Sequence, residues 1–157
     1  MERRRQLEGL GVVSWYIRPF TMEDYPAVYA LWQEAGPGVR LRPSDSAPEV
    51  AKKLERDPDL FLVAEVEGRV VGVIMGAWDG RRGWLHHLAV EAAYRGQGIG
   101  AALVREVEER LRAKGCLKVN LLVRAENIAA RRLYERLGYE EMTGIIAMGK
   151  ELAGAQE

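Results

Sequence analysis

The chain has 157 residues, of which 48% are hydrophobic and 29% charged, and its 23 basic and 23 acidic side chains balance to a formal net charge of zero. These values are typical of one ordinary globular domain, and they give no support to a nucleic-acid-binding protein, because such domains carry a basic excess. The single cysteine, Cys116, rules out an internal disulfide and leaves no cysteine cluster for zinc. We therefore expect no metal and a reducing, cytoplasmic setting. No apolar stretch is long enough for a signal peptide or a membrane span, so no membrane association is expected.

Strand and helix patterns alternate along the first half of the chain. Residues 1–11 have no clear periodicity and are predicted to be an N-terminal extension, followed by a single domain over residues 12–157. That domain is predicted to open with a strand at Val12–Arg18, a helix capped by Thr21 and a polar loop at Val39–Pro48. A short helix at Glu49–Arg56 and a β-hairpin of Leu60–Val66 with Arg69–Trp78 follow. Gly36-Pro37-Gly38 ends the first helix.

The second half predicts a strand, a helix, a strand, a helix and two short strands. The strands are placed at Trp84–Val90, Leu117–Arg124, Tyr139–Met142 and Ile145–Lys150. One helix follows a glycine-rich turn and ends at Gly115; the other is capped by Asn127 and ends at Gly138. This order predicts an α+β fold, in which helices flank a mixed, mostly antiparallel sheet of about seven strands with a parallel βαβ crossover in its middle.

A glycine-rich turn, Arg95-Gly96-Gln97-Gly98-Ile99-Gly100, connects the strand at Trp84–Val90 to the longest predicted helix. Backbone N–H groups at such a helix start have no intrahelical acceptor, and the helix dipole adds positive potential, so the turn predicts an anion site for phosphate. A P-loop is excluded because no Lys-Ser or Lys-Thr pair follows Gly100. A dinucleotide fingerprint is excluded because the glycines are spaced GxGxG and the next strand ends in Val123-Arg124 without an acidic residue.

The pattern Arg95-x-x-Gly98-x-Gly100 resembles the acyl-CoA-binding signature of the GNAT superfamily of N-acyltransferases. Leu88-Ala89-Val90 before the turn and Asn127 with the run from Ala129 to Tyr139 after it are similar to that family's sequence at the corresponding places. The resemblance spans Val12 to Lys150 and implies the GNAT fold. The segment Leu41-Arg42-Pro43-x-Asp45 is similar to small stand-alone bacterial acetyltransferases.

The resemblance implies where acetyl-CoA, the acyl donor, would bind. The pyrophosphate of coenzyme A would lie on the backbone amides of Arg95, Gly96, Gln97, Gly98, Ile99 and Gly100. A bulge in the strand before the turn would free the edge at Leu88, Ala89 and Val90 for the pantetheine arm, and one N–H there would stabilise the oxyanion. Asn127 would contact the pantetheine, and it is also a good helix cap.

Two side chains are candidates for proton transfer. Tyr134 matches a family position near the CoA sulfur, where a phenol would protonate the departing thiolate, although its helical spacing alone would favour a core tyrosine. His86 is the candidate general base for the amine; because neighbours on a strand point to opposite faces, only one of His86 and His87 is expected to serve. The alternative is a water chain that leads to Glu65 or to no side chain at all.

The acceptor pocket is predicted to be walled by the loop at Val39–Pro48, by Trp78 to Arg82 and by Trp32. Its four arginines would either bind an acidic acceptor or form a solvated surface, and these are Arg40, Arg42, Arg81 and Arg82.

The expected function is N-acetylation of a primary amine of a small molecule, by direct transfer from acetyl-CoA in a ternary complex. One alternative is a protein N-terminal or lysine acetyltransferase, since residues 123–139 are very similar to the branch that modifies ribosomal proteins. That branch tends to carry a glutamate where this chain has Leu122, which lowers this option. Another alternative is a non-catalytic CoA-binding sensor. A homodimer paired through the C-terminal strands is a further possibility, with no nucleic acid as partner.

Overall fold

A single mixed sheet runs through the computed structural model, which describes residues 3–5 and 14–153. The strands lie side by side in chain order: β1 (Arg3–Arg5), β2 (Trp15–Pro19), β3 (Phe61–Val66), β4 (Arg69–Trp78), β5 (Gly83–Val90) and β6 (Val119–Leu121). Each neighbouring pair from β1 to β5 is antiparallel, whereas β5 and β6 are parallel. A parallel pair needs a long crossover, and here the crossover holds the glycine-rich turn and the longest helix.

Four helices cover the two faces of this sheet, and they are α1 (Tyr25–Glu34), α2 (Ala47–Arg56), α3 (Ile99–Ala113) and α4 (Ile128–Arg136). One apolar core lies between the sheet and α1 with α2, and it contains Val28, Trp32 and Val50. The other lies between the sheet and α3 with α4, and it contains Leu103, Val107, Leu111 and Tyr134. None of the helices in the described ranges is long and apolar enough to cross a membrane.

Two short 3₁₀ turns, Met22–Asp24 and Pro43–Asp45, precede α1 and α2 and share one construction. In each, the last residue is a buried aspartate whose Oδ2 accepts the backbone N–H of the residue three positions earlier. Asp24 also accepts two hydrogen bonds of 2.8 Å from the guanidinium of Arg18. The two aspartates therefore have the same local role but different partners elsewhere in the fold.

Helix α3 packs close to the sheet because β4 has glycine at the contact. A Cβ added at Gly76 would lie 2.7 Å from Val107 Cγ1 and 2.9 Å from the carbonyl oxygen of Leu60. Since the second neighbour is backbone, α3 or β3 would have to shift to make room.

Gly76→Ala is accordingly expected to lower the free energy of unfolding by about 1–3 kcal/mol, the usual cost of overpacking a core. Gly149→Ala is the matched control, because no atom lies within 4 Å of its added Cβ. Urea unfolding of both variants measures the difference; equal stability of the two would contradict the close helix–sheet contact.

The predicted α+β fold with a parallel crossover is confirmed, but the count of about seven strands is wrong. The described residues contain six strands, and the two expected at Tyr139–Met142 and Ile145–Lys150 are absent from the described part of the chain. Ile146 and Met148 are 80% and 88% exposed, so no element in the described part of the chain covers the apolar side chains of this β-favouring segment. Strand propensity reflects packing against neighbours, and without one it is not realised. The homodimer expected through this segment stays a prediction.

Two strands have boundaries that differ from those predicted from the sequence. The strand predicted at Leu117–Arg124 is limited to Val119–Leu121, and the first long strand begins at Trp15. The expected extension over residues 1–11 falls largely outside the described residues; Arg3–Arg5 within it pairs with β2. The division into an extension and one domain remains a prediction.

Candidate active site

A β-bulge in β5 sets the geometry of the site. Val73 lies opposite Ala89 and Met75 lies opposite His86, so two residues of β5, His87 and Leu88, face the single residue between them on β4. His87 has a φ of 51°, in the left-handed region that few residues other than glycine adopt. A bulge of this kind re-aims the side chains that follow it.

The bulge places both histidines on the α1/α2 face of the sheet. His86 is stacked parallel to Trp84 at 6.4 Å, and the charge of Lys53 on α2 acts on it. The His87 ring meets the ring of Trp32 on α1 edge-on at 5.3 Å. The expectation that the two histidines point to opposite faces is therefore wrong, because it assumed an unbroken strand alternation.

His87 is held by contacts from two elements. Its Nε2 lies 2.8 Å from Oδ1 of Asp45, and its carbonyl oxygen accepts a hydrogen bond of 3.3 Å from Trp32 Nε1. The turn that carries Asp45 is fixed in turn by Tyr25, whose hydroxyl donates to the Asp45 carbonyl at 2.8 Å. A left-handed residue costs about 1–3 kcal/mol, which the surrounding contacts must offset. Such a cost is most often found at functional positions.

Asp45 is only 6% exposed and carries a negative charge at neutral pH. Burial raises the pKa of its carboxyl, but the hydrogen bond and charge of His87 and the N–H and charge of Arg42 outweigh that effect, so the pKa lies below its usual value. The carboxylate is thus an ionised acceptor in direct contact with an imidazole.

His86 has a different environment. It is exposed at the surface, yet the protein around it desolvates the ring, and together with the charges of His87 and Lys53 this lowers the pKa of the imidazole. A lowered pKa keeps His86 neutral at pH 7, where it can accept a proton. No hydrogen bond from residues 14–153 orients its ring.

One edge of β5 is open beyond the bulge. The parallel pairing with β6 joins Gly83 to Val119, Trp84 to Asn120 and Leu85 to Leu121, and it ends there. Residues 86–90 consequently have no strand partner on that side within residues 14–153. The carbonyls of His87 and Val90 accept from Trp32 Nε1 and Arg95 Nε, and the other N–H and C=O groups on this side are available to another extended chain.

The glycine-rich turn follows this edge directly. Gly98 caps α3 with a φ of 86°, Gly96 has a φ of 79°, and no atom lies within 4 Å of a Cβ added to either. Within residues 14–153, the backbone N–H groups of residues 96–100 donate to no acceptor. The Oε1 of Gln97 is buried without a hydrogen-bond partner in the same part of the chain. The turn thus offers several free donors at a helix N-terminus, as an anion site requires.

Helix α4 meets the start of α3 beside the open edge. A Cβ added at Gly100 would lie 3.3 Å from Leu133 of α4 and within 4 Å of Val90 and Leu88 of β5. Tyr134, the next residue on α4, is 9% exposed, and burial raises the pKa of its phenol to about 12. Its ring meets that of Tyr139 edge-on at 5.6 Å, and its hydroxyl has no partner among residues 14–153.

Asn127 caps α4, as its position in the sequence predicts. Its Oδ1 accepts the backbone N–H of Ala130 at 3.2 Å, while its Nδ2 lies 3.0 Å from a Cβ added at Gly38 in the loop after α1. The cap therefore also brings the α1–α2 loop beside the loop that precedes α4.

Two open clefts adjoin this region. The larger, of about 520 Å³, lies between α1 and the loop before α2, and it is lined by Tyr25, Tyr29, Arg40, Leu41, Arg42, Pro43, Ser46 and Ala47. The smaller, of about 290 Å³, is lined by Gly36, Val39, Arg40, Arg124 and Glu126. Arg40 borders both, so the two clefts lie side by side.

Comparison with known proteins decides the family. The profile of the Acetyltransferase (GNAT) family matches residues 15–139. The chain belongs to the GNAT acetyltransferase family. An acetyltransferase of Sodalis glossinidius is 46% identical over 142 residues, which cover 90% of this chain and 98% of that protein.

Solved structures of the family agree with the fold. The ribosomal-protein-S18-alanine N-acetyltransferase from Escherichia coli superposes with a TM-score of 0.68 at 29% identity, covering 82% of this chain and 79% of that one. The PaiA N-acetyltransferase from Thermoplasma acidophilum, solved in complex with coenzyme A, superposes with a TM-score of 0.72 at 22% identity and covers 81% of this chain and 90% of that one.

In this GNAT acetyltransferase, several predicted residues come together and others do not. The turn at residues 95–100, the edge at residues 88–90 and Leu133 of α4 meet around Gly100, and Tyr134 lies in the same core between the sheet and α3 with α4. Glu65 lies on β3 and is engaged by Tyr16 and Arg18, whose hydrogen bonds lower its pKa, so it is a poor candidate base. The turn at Trp78 to Arg82 lies at the opposite end of β5 from the glycine loop and does not wall a pocket at His87.

Asp45 is the residue that sequence reasoning missed. It belongs to the segment Leu41 to Asp45, for which the sequence indicates only a similarity to small bacterial acetyltransferases and a place in the pocket wall. The sequence separation of 42 residues from His87 and the unexpected bulge hid the contact. Two adjacent histidines before a glycine-rich turn were the only available signal.

Proposed function

We propose that this GNAT acetyltransferase transfers an acetyl group from acetyl-CoA to a primary amine of a small molecule, by direct attack in a ternary complex. The observation that carries the proposal is the open edge of β5 at residues 86–90, which runs straight into a turn of unpaired backbone donors. An acyl-CoA has the two features this surface fits: an extended arm with two amides and a pyrophosphate.

The chain's own residues fit such a donor. Gly96 and Gly98 leave their turn open to a phosphate, since no atom lies within 4 Å of an added Cβ. We assign the pyrophosphate to the N–H groups of residues 96–100, because the N–H of Arg95 donates to the Ala92 carbonyl at 3.3 Å. We assign the pantetheine to Leu88, Ala89 and Val90, with one N–H of that edge aimed at the thioester oxygen. We assign Asn127, the cap of α4, as a further contact of the pantetheine. We propose the cytoplasm as the compartment, because a chain with a single cysteine forms no internal disulfide and fits a reducing environment.

Tyr134 is proposed as the general acid. The phenol, with its pKa raised to about 12, is protonated at every physiological pH, and its hydroxyl is not engaged by residues 14–153. It lies beside Leu133, which borders the α3 start where the pyrophosphate is assigned. When the C–S bond breaks, the thiolate keeps the electron pair and takes the phenolic proton.

The base must take a proton from the acceptor's ammonium group before its nitrogen attacks. The sequence predicts His86 as this base, and its lowered pKa leaves the imidazole neutral and able to accept that proton. The bulge brings His87 to the same face as a second candidate.

A small acceptor is favoured over a protein because the adjoining clefts of about 520 and 290 Å³ are of the size that small ligands occupy. The second candidate function, acetylation of protein N-termini, is supported by the 29% identity to the S18-alanine enzyme. The arginine shared by the two clefts, Arg40, would favour acceptors that carry an anionic group.

The test is amine-dependent release of thiol from acetyl-CoA. Four acceptors separate the candidates: an alkyl amine, an arylalkyl amine, an α-amino acid amide and a peptide with a free N-terminal alanine. We expect one of the three small amines to raise thiol release at least tenfold over acetyl-CoA alone. Preference for the peptide would transfer the proposal to protein N-termini, and no release with any acceptor would overturn it.

A further inference from the structure

We infer that His87, positioned by Asp45, is the general base that deprotonates the acceptor amine. This inference rests on the proposed function and assigns the proton acceptor within that same site. Its basis is the contact of 2.8 Å between His87 Nε2 and Asp45 Oδ1, made at the bulge where the acyl donor's arm is assigned.

The pairing with a carboxylate selects one tautomer of His87. Ionised Asp45 can only accept, so Nε2 of the neutral imidazole carries the hydrogen and donates it to Oδ1. The lone pair is then on Nδ1, which has no hydrogen-bond partner among residues 14–153. The His87 side chain is 26% exposed, so a substrate can reach the ring. Once Nδ1 takes a proton, the carboxylate stabilises the resulting imidazolium.

The ring is also fixed in orientation, which a base needs more than mere proximity. Trp32 packs against its edge and holds the backbone through a hydrogen bond to the His87 carbonyl. The turn bearing Asp45 is tied to α1 by the Tyr25 hydroxyl. These contacts hold His87 with its backbone in the left-handed region, at a φ of 51°.

The charged groups around His87 come from three elements. Asp45 and Arg42 belong to the loop before α2, His86 is its neighbour on β5, and Lys53 on α2 acts on His86. Of these charged groups, only Asp45 contacts the ring of His87 directly. His86 lacks an equivalent carboxylate partner among residues 14–153, so nothing there fixes its tautomer.

The proposed step is balanced in protons. The ammonium loses one proton to His87 Nδ1, and the neutral amine attacks the thioester carbon to form the C–N bond. The C–S bond then breaks with its electron pair on sulfur. Of the ammonium's three protons, one is on His87, one stays on the amide nitrogen, and the last replaces the proton that Tyr134 gives to the thiolate. His87 releases its proton to water, so the products are the amide, the free thiol and one proton.

Three variants test the pair with the best small amine from the panel and saturating acetyl-CoA. We expect His87→Gln to lower kcat about 100-fold, the size of a lost general base. Asp45→Asn keeps an oxygen for the Arg42 N–H but removes the charge that stabilises the imidazolium, so kcat should fall about tenfold. Asp24→Asn is the matched control, because it alters an equivalent turn aspartate without touching His87. It should leave kcat unchanged.

A second readout needs no turnover. Nitrogen-15 NMR of the wild-type protein should show His87 as the Nε2–H tautomer, with this preference lost in Asp45→Asn and kept in Asp24→Asn. If Asp45→Asn and His87→Gln release thiol at the wild-type rate, this inference is overturned and the proposed function stays intact. A mixed tautomer in the wild type would overturn it equally. Absence of thiol release with every amine would instead overturn the proposed function, and the inference with it.

Discussion

Tyr134→Phe is expected to lower kcat for amine acetylation by about 100-fold while leaving the affinity for coenzyme A unchanged. The substitution removes one hydroxyl, which has no hydrogen-bond partner among residues 14–153, and keeps the ring packed in the α3/α4 core. The departing thiolate would then have to take its proton from water. Steady-state thiol release and calorimetric titration with CoA measure the two quantities separately.

Tyr139→Phe is the matched control for this experiment. Its ring packs edge-on against that of Tyr134, and its hydroxyl donates to Glu108 at 2.8 Å. The two variants therefore lose the same atom from one aromatic pair, and only Tyr134→Phe should lose turnover. Equal kcat for Tyr134→Phe and the wild type would remove Tyr134 as the acid and return it to the role of a core tyrosine.

Gly98→Ala is expected to weaken the binding of coenzyme A at least tenfold. Gly98 holds a φ of 86° at the start of α3, and the space around its added Cβ is empty, so that the methyl group would occupy the place assigned to the phosphates. The loss should appear in the CoA dissociation constant measured by calorimetry. It should be smaller for ligands that lack the pyrophosphate, such as a short pantetheine thioester.

The opposite end of α3 supplies the control. Gly115 has a φ of 91° and likewise no atom within 4 Å of an added Cβ. Gly115→Ala therefore carries the same backbone strain, about 1–2 kcal/mol, on the same helix. It should lower stability by a similar amount and leave CoA affinity unchanged. Equal CoA affinity of Gly98→Ala and Gly115→Ala would place the pyrophosphate elsewhere.

The parts of the fold that the sequence predicts best are those governed by local patterns. Apolar spacing predicts α1, α3 and α4, and the turn at Glu67-Gly68 predicts the hairpin of β3 and β4. The predicted cap Asn127 is confirmed, whereas Thr21 caps the 3₁₀ turn before α1 and Asp24 caps α1 itself. In each case, the residues that decide the structure lie within a few positions of one another. The glycine-rich turn belongs to the same class, because its left-handed backbone requires glycine at positions 96 and 98.

What the sequence does not predict depends on distant partners. The bulge at His87 follows from how β5 fits β4 and Trp32, and it reverses the face on which one histidine lies. The strands expected after Tyr139 have suitable residues, yet no neighbouring strand covers them in the described chain. Asp45 contacts His87 because the α1–α2 loop packs onto β5, and no local sequence pattern encodes that packing.

Transfer of a labelled acetyl group tests the account most directly. The protein is incubated with [¹³C]acetyl-CoA and the best amine of the panel, and both the free thiol and the labelled amide are quantified by mass spectrometry. The account predicts one labelled amide for each thiol released. Thiol release without labelled amide, or no release at all, would contradict it.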